Sequence, residues 1–109
     1  MNEFKIGNIF IGPNHKPFII AEMSGNHNQS LERSLKIVRA AAACGVQAIK
    51  LQTYTPDTMT LDVKFDDFFI SDENSPWHNS YLYDLYKDAY APWEWHREIM
   101  DESRRVGLI

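Results

Sequence analysis

The stretch that decides the fold reads Val46-Gln47-Ala48-Ile49-Lys50-Leu51-Gln52-Thr53. It follows a helix-like run that stops at Gly45, and its short, apolar and β-branched composition predicts a buried strand. Because side chains alternate along a strand, Ile49 and Leu51 share one face while Lys50 lies on the other. A lysine near the C-terminal end of a buried strand needs a partner, since burial of an unpaired ammonium group is costly. The question of function therefore starts at Lys50.

A repeating strand–helix pattern surrounds this stretch. Residues 17–22 predict an earlier buried strand, with Glu22 at its C-terminal end. Between the two strands, Ser30 or Asn28 is the expected N-cap of a helix that Gly45 ends. That helix carries an apolar stripe at helical spacing, formed by Leu31, Leu35, Val38 and Ala42. Strands that alternate with helices predict right-handed βαβ units and a parallel sheet.

Further elements are predicted toward both ends of the chain. Residues 4–7 and 9–12 are short alternating runs, typical of a small N-terminal β-hairpin. Residues 80–90 and 93–106 predict two helices, and Gly107 then begins a second helix–glycine–strand transition. The chain thus offers a third strand directly after its last helix.

The pattern alone leaves two α/β architectures open, a closed barrel and a doubly wound sheet. Both predicted strands place a charged or amide side chain on one face at the C-terminal end, where (β/α)₈ barrels build their active sites. We therefore predict an α/β fold, the N-terminal part of a TIM (β/α)₈ barrel with about two βα units and an N-terminal hairpin. Since the chain stops on the apolar pair Leu108-Ile109, residues 1–109 are expected to be the N-terminal portion of a longer barrel domain.

Composition narrows the class of protein. The chain has 109 residues, 44% hydrophobic residues and a formal net charge of −4, which are ordinary values for a soluble domain. The mild acidity argues against a nucleic-acid or anionic-membrane surface, and the N-terminus lacks a signal-peptide core. The one cysteine, Cys44, permits no intrachain disulfide and is expected to be a small core residue. We predict a cytoplasmic protein.

Glu22, Lys50 and Gln52 form the main candidate site. If the two strands are parallel neighbours, all three side chains point into one mouth at the C-terminal edge of the sheet. A lysine there can bind a phosphate or carboxylate, or act as a base, and a glutamate can act as a general acid or base. The structural alternative is a Glu22–Lys50 ion pair with no further role.

Two loops border the same mouth. Residues 24–28 offer amide and imidazole groups from Asn26 and His27, although turn chemistry alone would account for this composition. Residues 54–80 predict a partly ordered lid, because long loops inside a compact domain are uncommon and often functional. The histidines of the chain share no metal-ligand spacing, so a metal site wholly within it is not expected.

The residues of both strand ends resemble the start of the sialic acid synthase family. The resemblance lies in residues 18–28, Phe-Ile-Ile-Ala-Glu-Met-Ser-Gly-Asn-His-Asn, and in residues 48–53, Ala-Ile-Lys-Leu-Gln-Thr. Residues 53–60 and 82–96 look more like the pseudaminic acid synthase branch than the N-acetylneuraminate branch. These enzymes condense phosphoenolpyruvate with an N-acetylated amino sugar to make nonulosonic acids.

The resemblance implies a metal-dependent, homodimeric TIM-barrel enzyme with a C-terminal antifreeze-like domain. The metal would be Mn²⁺ or Mg²⁺, with its ligands beyond this chain. Lys50 would bind the anionic groups of phosphoenolpyruvate, Gln52 would hydrogen-bond the sugar, and Glu22 would orient the sugar or assist proton transfer. Asn26 and His27 match the motif as loop-forming or indirect substrate-site candidates. The sugar implied is 2,4-diacetamido-2,4,6-trideoxy-L-altrose, and βα loops such as residues 54–80 are where discrimination between sugars is expected.

Two other readings stay open. Within the family, the alternative is an N-acetylneuraminate synthase. In a different class, residues 1–109 would be a non-catalytic fragment or interaction module that associates through uncovered strand edges and helix faces. The isolated chain is expected to have no activity of its own.

Overall fold

The computed structural model describes residues 2–109 and begins with the predicted hairpin. Strand β1 (Phe4–Ile6) pairs antiparallel with β2 (Ile9–Ile11). Gly7 lies in the turn between them with φ of +57°, a conformation that glycine adopts without steric cost.

The central pair of strands is parallel, as predicted. Strand β3 (Ile20–Glu22) lies beside β4 (Ala48–Lys50), and the register places Glu22 opposite Lys50. Both strands are shorter than the predicted ranges 17–22 and 46–53. Backbone hydrogen bonds nevertheless continue past them, since the Met23 amide donates to the Lys50 carbonyl at 3.0 Å.

Ile109 extends the parallel sheet on the side of β4 that does not face β3. The Ile109 amide donates to the Gln47 carbonyl at 3.0 Å, and the Ile49 amide donates to the Ile109 carbonyl at 2.9 Å. This alternation is the hydrogen-bond pattern of a parallel ladder. The order in space is therefore β3, β4 and then Ile109, the same as the order in sequence.

Helix α1 (Leu31–Ala43) connects the parallel strands. Ser30 is the N-cap, because its hydroxyl oxygen accepts the Arg33 amide at 3.2 Å, which decides between the two predicted candidates. Gly45 follows the helix with φ of +80°. The prediction that Cys44 is a core residue was wrong. Cys44 is exposed because it occupies the C-cap, away from the apolar stripe of the helix.

Three α-helices and two 3₁₀ turns follow β4. After β4 come α2 (Pro56–Met59) and a 3₁₀ turn at Asp66–Phe68, both inside the predicted lid. Helix α3 (Leu82–Ala89) follows, and a 3₁₀ turn at Trp93–Trp95 leads into α4 (His96–Arg105). None of the helices among residues 2–109 is both long and apolar enough to cross a membrane.

The core lies between one face of the parallel strands and the helices α1 and α4. It is formed by the buried side chains of Met23, Val38, Ala41, Ile99 and Leu108, with Ala21, Ile49 and Leu51 packed against them. Burial of large apolar side chains supplies most of the stability of such a layer. Outside this core, Glu102 on α4 accepts hydrogen bonds from Arg39 on α1 and from Arg105, at 2.6 to 2.8 Å.

Within residues 2–109 the C-terminal ends of the strands are open on the opposite face, so the predicted burial of both strands is found on one face only. Ile20 is 49% exposed, and the Glu22 and Lys50 side chains are 55% and 57% exposed. The reason is that α1 and α4 both pack on the other face. Within the described residues, Lys50 is therefore not a buried ammonium group.

The left-handed conformation of Gly45, between α1 and β4, can be tested by substitution. In Gly45→Ala the new Cβ meets no atom within 4 Å, so the whole cost is the left-handed φ, about 1 kcal/mol of unfolding free energy. The measurement is the midpoint of urea unfolding of the full-length protein. Gly45→Asn should lose less stability, because asparagine tolerates this conformation. Equal losses for alanine and asparagine would contradict the explanation.

Candidate functional site

The parallel register brings two of the predicted site residues into direct contact. The Lys50 Nζ atom donates to the Glu22 Oε1 atom at 2.7 Å, on the open face at the C-terminal ends of β3 and β4. Both side chains are more than half exposed, and exposed ion pairs contribute only about 0–1 kcal/mol. Separation of the pair within these residues therefore costs little free energy, and either group can exchange its partner for a ligand.

Gln52 lies two residues further along the same strand face and lines an open cleft of about 890 Å³. The walls of this cleft come from four parts of the chain: the loop after β3, the end of β4, the lid and helix α3. Its volume falls within the range of small-molecule pockets, roughly 300–1,000 Å³. The cleft thus reaches the C-terminal ends of the strands through Gln52 and the loop after β3, but neither Glu22 nor Lys50 is among the residues that line it.

The loop after β3 has an unusual backbone. Ser24, Asn28 and Gln29 all have positive φ angles, between +50° and +53°. Such conformations cost roughly 1 kcal/mol or more in residues other than glycine and cluster at functional sites. The loop follows Glu22 directly and supplies Asn26 to the cleft, so its strain lies where ligands would bind.

Two contacts hold this loop against helix α3. The Gln29 side-chain amide donates to the carbonyl oxygens of Asp88 and Tyr90, at 3.0 and 3.1 Å, and so satisfies the end of the helix. Gly25 lies so close to Ala89 that a Cβ atom on it would approach the Ala89 backbone to 3.2 Å. The strained loop is therefore fixed by the helix that forms the opposite wall of the cleft.

His27 lies under the loop and not in the cleft. Its side chain is fully buried, its Nδ1 atom accepts the Gln29 amide at 3.0 Å, and its ring contacts Trp95 edge-on at 5.4 Å. Burial lowers its pKa, and the nearby Ala89 carbonyl opposes that shift only in part. His27 therefore helps to form the loop, one of its two predicted roles, and it is not among the residues that line the cleft. A role in substrate binding stays a prediction.

Asn26 supports the loop and also reaches the cleft. Its side-chain amide donates to the Met23 carbonyl at 3.0 Å, and its own carbonyl accepts the Arg33 guanidinium at 2.7 Å. Both predicted roles are therefore compatible with its position.

Two residues at the end of β4 were missed by the sequence argument. The Tyr54 hydroxyl donates to the Gln52 Oε1 atom at 3.3 Å, and burial raises the pKa of this phenol, so the donor stays protonated. Thr53 hydrogen-bonds the His96 Nε2 atom at 2.7 Å, which ties the strand end to the start of α4. Tyr54 is close to Gln52 in sequence, but the direction of its side chain depends on the fold.

No group of three His, Cys, Asp or Glu side chains among residues 2–109 is arranged to hold a metal ion. A divalent metal with ligands elsewhere in the protein stays a prediction.

Comparisons with known proteins agree with this architecture. The model of the NeuB family matches residues 37–109. The chain is 44% identical over 105 residues to the pseudaminic acid synthase of Campylobacter jejuni subsp. jejuni, covering 96% of this chain and 29% of that protein. It is 42% identical over 92 residues to the pseudaminic acid synthase of Helicobacter pylori, covering 84% of this chain and 26% of that protein.

A solved structure shows the same arrangement of strands and helices. The chain superposes on N-acetylneuraminic acid (sialic acid) synthetase from Leptospira borgpetersenii with a TM-score of 0.74 and 27% identity, over 99% of this chain and 32% of that one. This chain therefore spans less than a third of the length of these relatives.

The buried imidazole of His27 predicts a pH-dependent stability. Because its pKa is lowered in the folded protein, the unfolded state binds the extra proton below about pH 6.5, and the folded state loses stability as the pH falls. In His27→Phe, the loss of unfolding free energy between pH 7.5 and 5.5 should shrink by up to about 1 kcal/mol. Urea unfolding of the full-length protein at both pH values measures it. An identical pH dependence in the variant would contradict the assignment.

Proposed function

The chain belongs to the NeuB family, and from this premise we propose that the full-length protein is a pseudaminic acid synthase. It would condense phosphoenolpyruvate with 2,4-diacetamido-2,4,6-trideoxy-L-altrose to give pseudaminic acid and phosphate. The observation that carries the proposal is the exposed Glu22–Lys50 pair beside an open cleft at the carboxyl ends of parallel strands. The identity of 44% to a pseudaminic acid synthase supports the choice of product.

We also propose that these residues are the first βα units of a TIM barrel. Support comes from the parallel pairing of β3 with β4 and from the alignment of Ile109 beside β4 in sequence order. In such a barrel the open face that carries Glu22 and Lys50 points to the interior, and the C-terminal strand ends carry the chemistry.

Lys50 is the proposed binding group for the anionic end of phosphoenolpyruvate. Its ammonium group already holds a carboxylate oxygen at 2.7 Å, which is the geometry an incoming phosphate or carboxylate would need. Within residues 2–109 the two side chains hydrogen-bond only each other, so Glu22 can give up its place at Lys50 to the substrate anion. A fixed positive charge at this position stabilises the charge that develops as phosphate departs.

The exchange at Lys50 releases Glu22 toward the second substrate. Its carboxylate would then accept a hydrogen bond from the sugar or assist proton transfer during the condensation. In that reaction, C3 of phosphoenolpyruvate forms a bond to the aldehyde carbon of the sugar, water adds at C2, and the C–O bond to phosphate breaks. Gln52 would hydrogen-bond the sugar from the neighbouring cleft.

The choice of sugar is tested directly with the full-length enzyme. We expect release of phosphate from phosphoenolpyruvate with 2,4-diacetamido-2,4,6-trideoxy-L-altrose, and a much lower kcat/KM with N-acetylmannosamine. The second sugar is included because the chain superposes on a sialic acid synthetase. A preference for N-acetylmannosamine would replace the proposed product by N-acetylneuraminate, and turnover of neither sugar would contradict the function.

The role of Lys50 is tested by Lys50→Ala in the full-length enzyme. Turnover should fall by about 100-fold or more, because one preorganised charge is removed from the reacting anion. The unfolding midpoint should change little, because the substitution leaves the apolar core between the strands, α1 and α4 intact. Lys36→Ala is the matched control: it removes another exposed lysine, paired with Glu32 on α1 at 2.8 Å, and should keep normal turnover. Near-normal turnover of Lys50→Ala would refute the assigned role.

A further inference from the structure

With the cleft lined by Gln52 taken as the sugar site of the proposed function, we propose that Trp77 of the lid determines which sugar is accepted, by contacting its acetyl and methyl groups. This inference rests on the proposed function and names the site of sugar choice within it. It commits to a neutral, N-acetylated sugar as the ligand of the cleft.

The charge of the cleft argues for a neutral ligand. Among the described residues that line it there is no lysine, arginine or histidine, and Asp88 is the only carboxylate. A phosphorylated ligand would need cationic donors, which the cleft walls lack. The cationic site at Lys50 and the cleft are thus chemically distinct, as one anionic and one neutral substrate require.

The cleft has one polar and one apolar side. The polar side comes from the loop after β3 and from the end of β4, with Ser24, Asn26, Asn28 and Gln52. The apolar side comes from the lid and from α3, with Ile70, Trp77, Leu82 and Leu85. An N-acetylated sugar presents both kinds of surface, since it carries hydroxyl groups and acetyl methyl groups.

The apolar side favours the more deoxygenated sugar. The diacetamido trideoxy sugar has two acetyl methyl groups and a C6 methyl group, whereas N-acetylmannosamine has one acetyl methyl group and a C6 hydroxymethyl group. An apolar wall gains from each additional methyl group that it covers. Discrimination of about 10-fold or more per group is typical of such pockets.

Tyr54 prepares the polar side for a ligand. Its hydroxyl donates to the Gln52 Oε1 atom at 3.3 Å, so the Gln52 side-chain NH₂ group is left as a donor to a sugar oxygen. The Tyr54 ring packs edge-on against Tyr86 at 5.6 Å, which fixes the phenol in place. The Gln52 amide is therefore oriented before the sugar arrives, which lowers the entropic cost of binding.

The lid holds Trp77 at the cleft through its backbone. The Ile70 amide donates to the Ser80 carbonyl at 2.9 Å, and the Asn79 amide donates back to the Ile70 carbonyl at 3.0 Å. These bonds close the lid at its base, and the Ser75 hydroxyl accepts the Trp77 amide at 3.2 Å. Trp77 is 54% exposed, so it keeps apolar surface that a ligand can cover.

Phe65 provides a matched control. It is an aromatic side chain of the same lid with nearly the same exposure, 56%, but it packs against Phe68 and does not line the cleft. Truncation of Phe65 should therefore remove a similar amount of exposed aromatic surface without touching the sugar.

The test compares Trp77→Ala and Phe65→Ala with the wild type, all as full-length enzyme, with both sugars at saturating phosphoenolpyruvate. Trp77→Ala should lower kcat/KM for the diacetamido trideoxy sugar by about 10-fold or more. It should lower kcat/KM for N-acetylmannosamine less, and leave the KM of phosphoenolpyruvate within about twofold. Phe65→Ala should stay within about twofold of wild type throughout. Trp77→Phe, which keeps an apolar ring, should recover most of the loss.

Two outcomes would overturn the proposal. One is an unchanged kcat/KM for the diacetamido trideoxy sugar in Trp77→Ala beside an active wild type, which would leave the proposed function standing. The other is an equal loss for both sugars together with a raised KM for phosphoenolpyruvate in both Trp77 variants, which would indicate general damage to the lid. Absence of wild-type turnover with either sugar would instead contradict the proposed function itself.

Discussion

The parallel register of β3 and β4 is the constraint on which the rest of the structure depends. It sets Glu22 opposite Lys50, and side chains at opposed positions of a sheet share one face. A slip of one residue would turn Lys50 toward α1 and α4 and expose Ile49, so the core and the candidate site depend on one alignment. The apolar pattern that buries Ile49 and Leu51 is therefore also what presents Lys50 and Gln52.

The two faces of these strands have different roles. Stability comes from the face packed against α1 and α4, where Val38 and Ile99 are almost completely buried. The Arg39–Glu102 contact joins the same two helices at their surface, and the hydrogen bonds from Arg105 and Arg39 hold the pKa of Glu102 at about 2. The open face carries charged groups that pack on little, so they can change partners without loss of the core.

The sequence predicted the parts of the fold that local patterns encode. The hairpin, the parallel pair and the glycine after α1 all follow from alternation, helical spacing and backbone conformations that few residues tolerate. The N-cap of α1 was narrowed to Ser30 or Asn28, and the structure shows Ser30. The contact between Glu22 and Lys50 was also foreseeable, because each residue ends its strand on the corresponding face.

What the sequence could not predict depends on contacts distant along the chain. Cys44 lies in an alanine-rich run, and only its place at the C-cap explains why it is exposed. The residues next to His27 in sequence do not show whether its ring faces a ligand or the core. Its ring packs against Trp95, which lies in a 3₁₀ turn far along the chain. The left-handed loop likewise needs the end of α3 to hold it, and no local pattern specifies that contact.

The strained loop explains how a site can be rigid while its charged pair is free to exchange partners. Three residues with positive φ would relax if the loop stood alone, so their conformation must be maintained from outside. The Gln29 side chain does this by bonding the carbonyl oxygens at the end of α3, where they lack helical partners. Because α3 also lines the cleft, the same contacts fix the distance between its polar and apolar sides. The anion site can then reorganise at Lys50 while the cleft beside it keeps its shape, as a condensation between a small anion and a bulky sugar requires.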